Sequence, residues 1–147
     1  MRAVITRVTQ SSVVVRGDTV GAIGRGLLVL LGVAPADTER EAIKLASKII
    51  NLRIFSDQDG KMNLDLKTAG GSLLIVSQFT LFADCSSRRP GFALAARPDI
   101  AMPLYERFVS ECRASGVQTE TGVFGARMSV MSVNDGPVTI LMDTDKI

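Results

Sequence analysis

Gly26-Leu27-Leu28-Val29-Leu30-Leu31-Gly32 is the stretch on which the fold turns. Five apolar residues in succession, closed by glycine on both sides, read as a strand covered on both faces. Just before it, Gly21-Ala22-Ile23-Gly24-Arg25-Gly26 has the look of a phosphate loop. It matches neither Gly-rich fingerprint in spacing and leads into a strand rather than a helix, so it reads as a hairpin turn. Further toward the N-terminus, residues 3–8 and 12–16 are rich in β-branched side chains and predict two strands, with a short one at 20–23.

Moving outward in the other direction, Thr38 and Glu41 make a Thr-x-x-Glu capping box. Ala42, Leu45, Ala46, Ile49 and Ile50 follow at helical spacing, with Lys44 and Lys48 on the opposite side. Residues 53–55 predict a strand, and Asp57-Gln58-Asp59-Gly60 a turn. Residues 72–76 predict another buried strand. A second helix is expected over 103–115, stopped by Gly116, with residues 98–102 in a separate turn because Pro103 is disfavoured deep inside a helix. Residues 118–121, 128–133 and 138–142 complete the strands, and Asn134-Asp135-Gly136-Pro137 between the last two reads as a tight connection. Strands and helices do not alternate, which argues against a Rossmann-type sheet. The expected class is mixed α/β, with an antiparallel-rich, curved, barrel-like sheet and two main helices in a single domain over residues 1–147.

A chain of 147 residues can bury about 68–70% of its unfolded surface, enough for a core without staples. Its 46% hydrophobic and 22% charged residues are ordinary for a globular protein, and a net charge of +2 does not announce nucleic acid. Arg88, Arg89 and Arg97 are the nearest thing to a basic cluster. Cys85 and Cys112 do not make a disulfide framework. Neither a signal peptide nor an apolar run of about 18 residues is present, so the cytoplasm is the expected compartment.

The chain has no histidine, which removes the commonest general base and every imidazole triad. No metal or cofactor is expected. Cys85, close to Arg88 and Arg89, is a candidate nucleophile without an imidazole to activate it. Thr80 and Ser77 are candidate hydroxyl nucleophiles that would each need a base. Asp84 and Asp135 could form a carboxylate pair, although aspartates beside turns commonly hold the turn. Cys112 falls on the apolar stripe of the second helix and reads as core.

Two strings are more specific. Ser77-Gln78-Phe79-Thr80-Leu81 together with Asn134-Asp135-Gly136-Pro137-Val138-Thr139 resembles the paired signature of the D-aminoacyl-tRNA deacylases. The likeness extends through Arg7-Val8, residues 26–33, Arg53-Ile54-Phe55, Arg89-Pro90, Thr121-Gly122 and Phe124-Gly125-Ala126 to Met128. The resemblance implies hydrolysis of the ester joining a D-amino acid, or glycine, to the terminal adenosine of tRNA. It implies a homodimer in which a cis Gly136-Pro137 turn enters the partner's site and rejects L side chains. It further implies that Ser77, Gln78, Phe79 and Thr80 form the catalytic end, Phe79 through its backbone N–H. Arg7 would support the turn, and Phe124 and Met128 would line an adenine pocket. Attack by water would be assisted by the ribose 2′-OH and by backbone donors, which fits a chain without histidine. Two rival expectations remain, a non-catalytic RNA- or nucleotide-binding dimer and a Cys85- or Thr80-dependent hydrolase of small esters.

Overall fold

The run at 27–31 forms the middle of β3 (Gly26–Gly32) in the computed structural model, which describes residues 1–147. β3 is antiparallel to β1 (Arg2–Val15) and parallel to β6 (Ser72–Ser77) within a six-stranded mixed sheet. Leu27, Val29 and Leu31 join the large core on one face, while Leu28 belongs to a smaller cluster on the other. β6 divides in the same way, Leu73 and Ile75 against Leu74 and Val76. Successive side chains alternate across a strand, so a strand covered on both faces must be apolar throughout.

The large core is closed by the two helices. α1 (Glu39–Ile50) buries Ala42, Leu45, Ala46, Ile49 and Ile50, the stripe expected from its spacing. Its capping box is formed: the Thr38 hydroxyl accepts from Arg40 N–H, and Thr38 N–H donates to Glu41 Oε2 at 2.8 Å. Hydrogen bonds from the Thr38 hydroxyl and from its N–H hold the Glu41 carboxyl down at about 2. A depressed carboxyl stabilises the fold above its ordinary value near 4.5, and that contribution is lost as pH falls from there through about 2. Thr38→Ala is therefore expected to lower the melting temperature by a few degrees at neutral pH. The gap from the parent should narrow on acid titration through that window.

The second helix departs from the sequence expectation. α2 runs from Pro98 to Ala114 without a break, with Pro103 inside it. Pro98 occupies the first helical position, where its ring is favoured. The only intrahelical bond that Pro103 deletes is to the Asp99 carbonyl, in an exposed first turn that water can satisfy. Ala101, Leu104, Tyr105 and Phe108 are all buried on either side of the proline. Burial at roughly 1.5–3 kcal/mol for each large side chain outweighs a proline penalty of about 3 kcal/mol.

β2 (Asp18–Ile23) returns from β1 through Arg16-Gly17, both at positive φ (52° and 87°). Arg16, expected in the strand, instead belongs to this two-residue turn. β7 (Thr119–Thr121) pairs in parallel with β6 at the far end of the sheet. The sheet curls until its two ends almost meet, and a Cβ at Gly21 of β2 would stand 2.5 Å from the Thr121 carbonyl oxygen of β7. The smaller cluster, with Val8, Val13, Ile23, Leu28, Leu74 and Val76, fills this nearly closed barrel. β4 (Phe55–Ser56) and β5 (Met62–Leu64) form a small separate ribbon around the turn at 57–60. The strand expected at 53–55 starts only at Phe55, and Arg53 instead reaches Asn63 O through its side chain at 2.7 Å. No helix is long and apolar enough to cross a membrane.

The C-terminal strands differ most from expectation. Residues 128–133 and 138–142 are not two strands joined by a turn but parts of one strand, β8 (Ser129–Asp143), paired with β1 along its length. Thr6 pairs with Thr139 and Val8 with Asn134. Between those pairs, the single residue Arg7 faces Asp135, Gly136, Pro137 and Val138, so the Gly-Pro segment is a wide bulge thrown out of a continuous strand.

Candidate active site

β3, β6 and β7 run parallel, and a cavity of about 410 Å³ opens beyond their C-terminal ends. Leu31 and Val33 reach it from the end of β3 and just past it, Ser77, Gln78 and Phe79 from the end of β6 and just past it, and Phe124 and Gly125 from the segment after β7. Crevices at the carboxyl ends of parallel strands are the usual place for ligands in such sheets. The start of α2 supplies the far wall through Pro98, Ala101 and Tyr105.

The aromatic content of this cavity is disproportionate. The chain has one Tyr, six Phe and no Trp, and four of those seven rings line this one space. Phe79 and Phe92 meet edge to face at 5.1 Å, with both rings substantially exposed at the rim (55% and 41%). Deeper in, Tyr105 and Phe124 lie 5.7 Å apart. The Tyr105 hydroxyl donates to Ile75 O at 2.9 Å, and burial pushes its pKa up to about 12. Tyr105 is thus a fixed, neutral wall. Flat rings at a half-open site suit the face of a nucleobase.

Ser77 closes β6, and Phe79 opens a short 3-10 turn, Phe79–Phe82, that has no side-chain cap. The first N–H groups of such a turn have no acceptor within it, which leaves Phe79 N–H available as a donor. Gln78 Nε2 donates to the Thr80 hydroxyl, and Thr80 itself is exposed outside the cavity lining. The structure therefore gathers Ser77, Gln78, Phe79 and Phe124 around one space. Met128 does not join them: it packs on the barrel cluster, its sulfur close against Gly122.

Arg7, Gly136 and Pro137 form a second assembly. The Gly136–Pro137 bond is cis, and both residues are exposed. Arg7, only 8% exposed, donates from Nε to Asp135 O at 3.3 Å and pairs with Asp135 Oδ2 at 3.2 Å, while Nη1 donates to Ile54 O at 2.5 Å. Along β3, Arg7 pairs with Leu27 whereas Ser77 pairs with Leu31. Four residues of strand offset the two assemblies by about 13 Å along the strand direction alone, and β3 lies between their strands.

The remaining candidates are placed as follows. Cys85 is exposed, and Cys112 is buried with its thiol pushed up to about 12 by burial. Asp84 accepts from Ser86 N–H at 2.9 Å, a bond that lowers its pKa, and is far in sequence from Asp135, which holds Arg7. No group of three or more Cys, Asp or Glu side chains is placed to hold a metal ion. Cys85→Ala is expected to leave turnover within about tenfold, or roughly 1.4 kcal/mol of barrier. Loss of all activity with the fold intact would establish a thiol mechanism.

The family model described as D-Tyr-tRNA(Tyr) deacylase matches residues 4–143. The chain belongs to this family. A D-aminoacyl-tRNA deacylase of Thermosipho africanus is 57% identical over all of this chain and 99% of that protein. One from Thermus aquaticus is 54% identical over 99% of this chain and 97% of its own length. Among solved structures, one described as "c-Myc DNA Unwinding Element Binding Protein" has a TM-score of 0.92 and 40% identity, covering 97% of this chain and 98% of its own. Another, "Structural Analysis of a probable eukaryotic D-amino acid tRNA deacylase", has a TM-score of 0.84 at 19% identity, covers 96% of this chain and 97% of its own, and shares the fold. In this deacylase-family chain, the wall residues Tyr105, Phe92 and Pro98 escaped the sequence reading. The signal for Phe92 was a large aromatic in a loop, off any apolar stripe, in a chain with few aromatics to spare.

Proposed function

We propose that this chain hydrolyses the ester of D-aminoacyl-tRNA to free D-amino acid and tRNA. The observation that carries the reading is that, in a chain of this family, Ser77-Gln78-Phe79 ends on an aromatic cavity of about 410 Å³, within the range of small-ligand sites. The terminal adenosine stacks among Phe79, Phe92 and Phe124, which brings the 3′ ester to the end of β6. Water adds to the ester carbonyl with help from the ribose 2′-OH, and Phe79 N–H stabilises the oxyanion. The bond to the ribose 3′ oxygen then breaks, and that oxygen leaves with a proton. An aminoacyl ester is already activated, so positioning and backbone donors suffice without histidine.

Selection of the D hand belongs to Gly136 and Pro137 supplied by a second copy, with Arg7 holding their segment in place. Two observations support a homodimer. The bulge is offset from Ser77 of its own chain by about 13 Å along the strands, and β1 and β3 lie between them. β8 is also a 15-residue strand paired only with β1, and it exposes Val130, Met131, Val133 and Leu141, the last at 68%. Sedimentation is expected to give a two-fold dimer at assay concentration, and a fully active monomer would overturn this part of the reading.

The deciding experiment is deacylation of a matched D-, L- and glycyl-tRNA set. Rapid release of the D-amino acid and of glycine, with the L-ester spared, is the expected result. The description of the 40%-identical relative as a DNA-element binding protein favours one alternative, binding without chemistry. Tight tRNA binding with no release of amino acid would establish that alternative.

A further inference from the structure

Between the two rim rings, the chain makes an excursion that the cavity itself does not explain. Asp84 and Gly91 exchange both backbone hydrogen bonds, at 2.8 and 2.9 Å, closing a small hairpin over residues 84–91. One foot follows the 3-10 turn that begins at Phe79, and the other leads directly into Phe92, so the Phe79–Phe92 contact at 5.1 Å pins the hairpin to the mouth of the cavity. Arg88 and Arg89 lie at its tip, both exposed. The seven ion pairs of the chain include neither of them. Asp84 is the only acid between residues 84 and 97, and its carboxylate is engaged by Ser86 N–H. Arg97, at the cavity wall, adds a third cation with only an exposed contact to Asp99 at 3.6 Å.

The tip is also pre-set in shape. Pro90 restricts Arg89 to extended backbone, and the Ser87 hydroxyl donates to Arg89 O at 2.7 Å. Phe92 follows Arg89 by three positions, at most about 11 Å of chain. The tip of the hairpin is thus tethered close to the mouth of the cavity. Unpaired arginines on a short anchored hairpin are suited to phosphate oxygens, which they can grip with two parallel N–H bonds.

Building on the deacylase reading, we propose that the hairpin over residues 84–91 is a phosphate clamp. It holds the unpaired 3′ strand of the tRNA immediately upstream of the terminal adenosine, with Arg88 and Arg89 each taking one phosphate. The cavity reads the adenosine and its ester, and the clamp supplies sequence-independent affinity and sets the direction in which the strand leaves.

The test compares the parent with an R88Q/R89Q double variant, which removes two side chains that hold no internal partner. On D-aminoacyl-tRNA in low salt, kcat/KM is expected to fall about tenfold. The slope of log(kcat/KM) against log[salt] should become shallower by about 1.4, for two phosphates at about 0.7 each on a single strand. On D-aminoacyl-adenosine, which has no upstream phosphate, the variant should stay within twofold of the parent. An R88K/R89K variant should recover most of the loss. Binding of an uncharged oligoribonucleotide matching the tRNA 3′ end, followed by fluorescence anisotropy, should weaken in R88Q/R89Q with the same change of slope. Unchanged slopes, or equal losses on tRNA and on the adenosine ester, would overturn the clamp. A parent that hydrolyses neither ester but binds the oligonucleotide in an arginine-dependent way would retain the clamp and overturn the deacylase reading instead.

Discussion

Gly136→Ala is expected to cut the preference for D- over L-aminoacyl-tRNA by about 100-fold, equivalent to about 2.7 kcal/mol of differential barrier. Gly136 sits at φ +118°, in a region that L side chains rarely adopt. A Cβ there would stand 2.8 Å from Arg7 Nη2 and 3.2 Å from Val138 N. Arg7 cannot retreat freely, because its other nitrogens are committed to Asp135 and Ile54. The bulge must therefore move, and a steric filter fails once its reference group moves relative to the α-carbon. The measurement is the ratio of kcat/KM on matched D and L esters, with circular dichroism to verify the fold. A ratio unchanged in a folded G136A protein would remove the bulge from selection.

Arg7→Ala is expected to cost about 2–4 kcal/mol of stability, less than the upper range for a broken buried pair because Asp135 is 40% exposed. For a chain of this length that corresponds to roughly 10 °C in melting temperature. Removing the guanidinium leaves Ile54 O without its donor and the Asp135 carboxylate without its charge partner. Arg7→Lys should rescue little, since one ammonium cannot reach three acceptors set in a fork. The D-over-L ratio should decline together with stability in both variants. A large thermal shift with selection intact would confine Arg7 to a structural role.

The elements legible in the sequence are those specified by local chemistry. The Thr38 capping box, the Ala42–Ile50 stripe and the unbroken run at 27–31 each encode their own periodicity, and each appears where expected. What the sequence concealed depends on partners far along the chain. β8 is one strand because β1, more than a hundred residues earlier, pairs on both sides of the Gly-Pro segment; a local reading sees only turn residues between two apolar runs. Pro103 lies inside α2 because burial on both sides of it outweighs its local penalty. The candidate site shows the same division. The strings around Ser77 and Gly136 were conspicuous, whereas Phe92 and Tyr105 become neighbours of Phe79 and Phe124 only when a loop and a helix fold over the ends of the strands.

The bulge in β8 also governs which changes of length this chain can absorb. From Val8 to Thr6, β1 advances two residues, while from Asn134 to Thr139 β8 advances five. Beyond the bulge, Ile140 and Met142 turn toward the large core in phase with their partners Ile5 and Ala3. Loss or gain of one residue over 135–138 would invert every side chain from Thr139 onward, exposing Met142 and burying Leu141. Loss of two would preserve the faces while erasing the projection. Indels in this segment are thus divided by parity, the odd ones breaking the sheet and a double deletion leaving a folded scaffold stripped of its protruding turn.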